Sequence, residues 1–145
     1  MVALTKRKID KFNRDVCKRL LAAKKEWGTL RELSERTGIH KSTLSKTLSG
    51  QTQTGLMTVD RICRAMGMTL SEALGGPKES SRWENIQGKV LKYMPDCSWR
   101  DAGASARMDG SGMYKVANGI RKPMLSTVIR LADAFGKEPY EMVID

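Results

Sequence analysis

The stretch TGIHKSTLSKTLSG, residues 37–50, sets a glycine at 38, apolar residues at 39, 44 and 48, and a second glycine at 50. Gly38 permits a left-handed turn that other residues resist. Beyond it, Lys41 to Ser49 reads as a helix stopped by Gly50, with Ile39, Leu44 and Leu48 pointing inward. The opposite face then holds His40, Lys41, Ser42, Ser45, Lys46 and Ser49, none of them apolar.

Upstream, Thr29 with Glu32 reads as a capping box for a helix from Leu30 to Thr37, in which Ser34 is small. A small residue in a first helix, a sharp turn, and a second helix fastened by apolar residues are the requirements of a helix-turn-helix. Its outer face can donate to phosphates and base edges, with Lys41, Ser42 and Lys46 the candidates for base contact. A polar helix face that is merely solvated has the same composition, so other features must decide between the two.

Working outward, Phe12, Val16, Leu20 and Ala23 recur at helical spacing up to a stop at Trp27-Gly28. Thr58 to Met66 reads as a fourth helix ended by Gly67, and Thr69 with Glu72 caps a short fifth. Lys6, Arg7, Lys8 and Lys11 lie ahead of the first helix and read as a frayed, solvated N-terminal tail, the other reading being an arm that reaches around a duplex. Nothing alternates with period two for long enough to make a strand, so the fold class is all-α.

Shifting the chain against itself by 69 positions aligns residues 29–75 with 98–144 without a gap, and 11 of the 47 pairs are identical. About three identities are expected of unrelated segments. The segments read as two five-helix copies of one fold in tandem, residues 1–76 and 77–145, joined by the breaker-rich linker GGPKESS, residues 75–81. In the second copy Ser98 with Asp101, Asp109, Gly119, Gly136 and Pro139 stand where helix signals are needed.

Charge adds a direction. Lys plus Arg number 26 against 16 Asp plus Glu, a net +10 over 145 residues, which points to a polyanion and to nucleic acid before membrane. Residues 1–76 hold 15 basic against 7 acidic residues, and residues 77–145 hold 11 against 9, so the charge is concentrated in the first copy. Cys17, Cys63 and Cys97 form no CxxC pair, and the single histidine completes no metal site with them. Free thiols, no metal and no cofactor are expected. No apolar run reaches the length of a membrane span and the N-terminus lacks a signal-peptide core, so a soluble, cytoplasmic protein is expected.

TLRELSERTGIHKSTLSKTLSG followed by LMTVDRICRAMGMTLSEAL, within residues 29–74, resembles the Xre family of helix-turn-helix proteins, which includes the Cro and lambda-type phage repressors. The resemblance implies a five-helix domain whose third helix enters the major groove of double-stranded DNA. It implies that His40, Lys41, Ser42, Ser45 and Lys46 face the groove and that Thr29 and Arg31 face the phosphate backbone. Gln53 and Thr54 would be further contacts.

The second copy departs from the pattern. Arg107 replaces the turn glycine, Gly110 and Gly112 weaken the reading helix, and Asp109 takes the place of His40. Ser111, Tyr114, Lys115, Arg121 and Lys122 remain candidates for DNA contact. The other role is association, through Trp83, Ile86, Val90, Tyr93, Met94, Met108, Met113, Met124, Phe135 and Met142, although an ordinary core accounts for most of these. A homodimer joined through second copies would bring two first-copy helices to a palindrome; a single chain acting as its own pseudo-dimer is the competing geometry.

The expected function is a DNA-binding transcription regulator, a repressor because no acidic or separate activation segment is visible; the resemblance implies a phage or mobile-element type, in a bacterial cell or phage-infected host. A second reading is a dual-purpose protein whose first copy autoregulates at DNA while the second inhibits a partner protein. An enzyme is the least supported class, because no nucleophile-histidine-carboxylate set or phosphate-cradling loop is present.

Overall fold

The computed structural model describes residues 4–50, 54–93 and 110–145. The first helix, α1 (Lys6–Trp27), starts where the Thr5 hydroxyl accepts the Lys8 amide at 3.3 Å. The basic run expected to be a frayed tail is therefore the opening of α1. Its anchor is apolar: Leu4, just ahead of the cap, is buried, and with Phe12, Ile129 and Ala132 it lines one cleft. Farther along, Val16, Cys17 and Leu20 form the buried face, at the 3–4 residue spacing of a helix side.

Helix α2 (Leu30–Thr37) and helix α3 (Lys41–Ser49) have the expected bounds. The Thr29 hydroxyl accepts the Glu32 amide at 3.2 Å, but the Glu32 carboxylate accepts from that hydroxyl at 3.1 Å, not from the Thr29 amide. The expected capping box is thus only half formed. Helix α4 (Leu56–Met66) starts two residues earlier than its local signals suggest, because the Leu56 amide finds its acceptor in Pro123, at 2.9 Å. In α5 (Leu70–Ala73) the Thr69–Glu72 capping box is complete.

The other half contains α6 (Asn85–Tyr93), α7 (Gly110–Ala117), α8 (Leu125–Phe135) and a short 3₁₀ helix, Pro139–Met142, with Pro139 at its start. No strand occurs among the described residues, only two isolated bridges. The expectations placed on Met94, Cys97, Ser98, Asp101, Arg107, Met108 and Asp109 fall outside the described residues.

The elements keep a fixed spacing. Helices α4 and α8 begin 69 residues apart with equal length, α3 and α7 begin 69 apart, and so do α5 and the 3₁₀ helix. Gly67 and Gly136 close α4 and α8 with φ of +71° and +66°; Gly50 and Gly119 follow α3 and α7 at +75° and +71°. Burial repeats at the same interval: Leu56 with Leu125, Val59 with Val128, Ile62 with Leu131, and Cys63 with Ala132.

The halves meet along a seam. The Leu56 amide donates to the Pro123 carbonyl at 2.9 Å, and the Leu125 amide donates to the Thr54 carbonyl at 3.0 Å, setting Gly55 opposite Met124 in an antiparallel bridge. Buried side chains from before and after residue 76 form one continuous cluster, from Val16 and Leu44 to Leu131 and Val143.

Residues 75–83 are pinned on both sides. Asp60, almost wholly buried, accepts the Trp83 amide at 3.1 Å and pairs with Arg64, also at 3.1 Å. The Ser81 hydroxyl accepts the Ser71 amide at 2.9 Å, capping α5 from outside, and the Arg82 amide donates to the Val143 carbonyl at 2.9 Å. Gly76 has room for nothing larger, because a Cβ there would overlap Tyr140.

Candidate nucleic-acid interface

The α2–α3 turn is held from several sides. Gly38 sits at φ +73° and its amide donates to the Ser34 carbonyl at 2.9 Å. The Ser34 hydroxyl donates to the Ile39 carbonyl at 2.6 Å, and the Thr37 hydroxyl accepts the Ile39 amide at 3.2 Å while donating to the Leu33 carbonyl at 2.8 Å. Each small hydroxyl thereby satisfies a backbone group that the turn would otherwise orphan.

Helix α3 is fastened by Leu44 and Leu48, both buried, with Ile39 half-buried against the same core. The buried Cys17 thiol donates to the Thr47 carbonyl at 3.2 Å, tying α3 to α1. Burial pushes both Cys17 and Cys63 thiols up from their ordinary range, so neither is a ready thiolate. Lys41, Ser42, Ser45, Lys46 and Ser49 lie exposed on the other side of the helix.

His40 has a structural duty besides its exposed position. It is the N-cap of α3: its Nδ1 accepts the Ser42 amide at 3.1 Å and lies 2.8 Å from the Ser42 hydroxyl. That geometry orients His40 and Ser42 together at the helix N-terminus, where backbone amides and the helix dipole favour an anion.

The flanking candidates divide. Thr29 and Arg31 are exposed at the start of α2, Arg31 in an open ion pair with Glu35 at 3.3 Å that a phosphate can replace at little cost. Gln53 falls outside the described residues. Thr54 is buried, and its carbonyl belongs to the seam, so its side chain is not on the open face as expected. The reason is non-local: the segment before α4 is covered by residues 123–125.

In the other half, α7 brings Tyr114 to the surface at 46% exposure and leaves Lys115 half-buried. Arg121 and Lys122 are exposed just after Gly119; the loop is folded back so that the Ile120 and Arg121 amides both donate to the Lys115 carbonyl, at 2.8 and 3.2 Å. Ser111 lies in the first turn of α7. Of the apolar residues considered for association, Ile86, Val90 and Met142 are buried, and Trp83, Tyr93 and Phe135 pack against the core.

A basic stripe escaped the sequence reading. Arg7, Lys11, Arg14, Lys18 and Lys25 are all exposed on α1 at intervals of three, four and seven, one side of a helix. Their spacing is the sequence signal for this stripe, and the local sequence around Arg7 and Lys11 does not by itself place them on a helix. Lys11 hydrogen-bonds Asp15 at 3.0 Å and holds that carboxyl below the usual carboxylate range.

Among the described residues, no helix is long and apolar enough to cross a membrane. Neither the curated proteins nor the solved structures contain a match to this chain. The segment that carries the held turn and the open face of α3, residues 18–79, matches the family of the Cro/C1-type HTH DNA-binding domain.

Proposed function

We propose that this protein is a sequence-specific DNA-binding transcription regulator, a repressor of phage or mobile-element type that occludes a promoter by seating α3 in the major groove. The observation that carries this reading is the two-sidedness of α3: Leu44 and Leu48 buried, Lys41, Ser42, Ser45 and Lys46 exposed. Lysines neutralise phosphates and release counterions, so affinity falls steeply with salt, while the hydroxyls and lysine ammoniums reach base edges. Occlusion requires only binding, which the arrangement supports.

The test is selection of bound duplexes from a random library, followed by replacement of Lys41, Ser42 and Lys46 with alanine. Affinity for the selected site should drop by about 100-fold or more, given roughly 1–3 kcal/mol for each good base contact. The unfolding midpoint should hardly move, because all three side chains are exposed. Unchanged affinity overturns the assignment of α3 as reader.

A second reading, DNA autoregulation combined with inhibition of a partner protein, draws its support from Leu91 and Ile120, 55% and 65% exposed. On that reading Leu91→Glu and Ile120→Glu abolish inhibition of the partner and leave DNA binding intact.

A further inference from the structure

The seam pairs Thr54–Gly55–Leu56 with Pro123–Met124–Leu125, and each of these positions is 69 residues from its counterpart. A bridge between equivalent positions, with reciprocal amide-to-carbonyl bonds of 2.9 and 3.0 Å, is carried onto itself by a two-fold rotation. Isologous dimers have this signature, in which a surface contacts its own copy. Here both surfaces belong to one chain.

We infer that the chain is its own dimer of readers, so that one molecule lays α3 and α7 into two successive major grooves of one duplex. The inference rests on the reading of α3 as a groove-binding helix. Chain length bounds the span, to which the helices' own dimensions add. Gly50 and Gly119, which follow α3 and α7, each lie five residues from the bridge. Chain length alone sets an upper bound, five extended residues on each side reaching about 17 Å with about 5 Å for the bridge, and the turn folded back onto the Lys115 carbonyl shortens the α7 arm. Half-sites one helical turn apart need about 34 Å.

The two readers are not equivalent, so the site should not be a true palindrome. Ser42 and Lys46 recur as Ser111 and Lys115, whereas Ser45 becomes Tyr114 and Lys41 becomes Gly110. The residues the two helices share predict bases common to both half-sites. The exposed Tyr114 offers an aromatic edge and a hydroxyl where α3 has only a hydroxyl, so the second half-site differs at that position. With most of the excess positive charge in residues 1–76, the α7 half-site is held by fewer phosphate contacts and is the weaker of the two.

The test uses the full chain on a duplex recovered from the random library. Native mass spectrometry should give one chain per duplex, and hydroxyl-radical footprinting should show two protected patches about one helical turn apart. Tyr114→Ser with Lys115→Ala should erase protection of one patch and weaken binding about tenfold, while Lys41→Ala with Lys46→Ala erases the other. Circular dichroism of each variant reports whether the fold is kept, and Tyr114→Ser alone, at an exposed position, serves if Lys115→Ala disturbs it. Two chains on a symmetric duplex overturn the inference and leave α3 as reader; so does a footprint indifferent to Tyr114 and Lys115. A library with no enriched sequence removes both readings.

Discussion

Asp60 is a carboxylate in a place where a charge is costly, and its partners show why it is kept there. It accepts the Trp83 amide and the Arg64 guanidinium, and the pairing raises the guanidinium further above its already high range. Asp60→Ala strands the Trp83 amide at the junction of the halves and should cost about 1–3 kcal/mol in urea unfolding. Asp60→Asn keeps an acceptor for that amide and should cost less. Asp145 makes a second clamp, accepting from Ser80, from Asn85 at 2.6 Å, and pairing with Arg82 at 3.7 Å. The Ser80 and Asn85 hydrogen bonds lower its carboxyl below the usual range. A lowered folded-state value stabilises the protein above the unfolded carboxylate value, about pH 4, and that stability is lost as pH falls through the lowered value. The urea midpoints of the native protein and Asp145→Asn should therefore differ at pH 6 and converge as pH falls below the lowered folded-state value.

Among elements, the α2–α3 pair depends on one backbone conformation. No atom lies within 4 Å of a Cβ built on Gly38, so Gly38→Ala meets no clash and isolates the cost of φ +73°. That cost should be about 1–2 kcal/mol by urea unfolding, with Gly38→Asn milder because asparagine tolerates the left-handed region. The bounds of α2 and α3 were legible in the sequence because cap, apolar face and glycine stop are all local. The start of α4 was not, since its first amide bonds to Pro123, 67 residues away. The burial of Thr54 escaped for the same reason, and the N-terminal lysines read as a tail because Leu4 finds its cover on α8. The open face of α3 was visible as polar spacing, while the role of His40 as cap to Ser42 depended on side-chain geometry that spacing does not encode.

At the scale of the molecule, the continuous core changes how the chain should unfold. Val16 and Leu44 share a cluster with Val128 and Leu131, and Ser81 and Trp83 tie the connecting segment to α5 and α4. Calorimetry should show one cooperative transition, with calorimetric and van't Hoff enthalpies agreeing. Two resolved transitions would mean that the halves are independent. For the same reason a fragment of residues 1–76 exposes Leu56 and its neighbours at the seam, and it should melt below the full chain. The repeat and the linker composition suggest two copies in tandem; the reciprocal hydrogen bonds between residues 54–56 and 123–125 have no local sequence signal.

The Gly55–Met124 bridge also bears on dose. A regulator assembled from two separate chains is diluted into inactive monomers at low abundance, so its effect on a gene rises with roughly the square of its concentration there. If the chain is its own dimer of readers, the two readers have no such dissociation, and the second meets its half-site at the effective concentration of an intramolecular partner. Occupancy would then follow the first power of protein concentration, giving a graded response with no threshold.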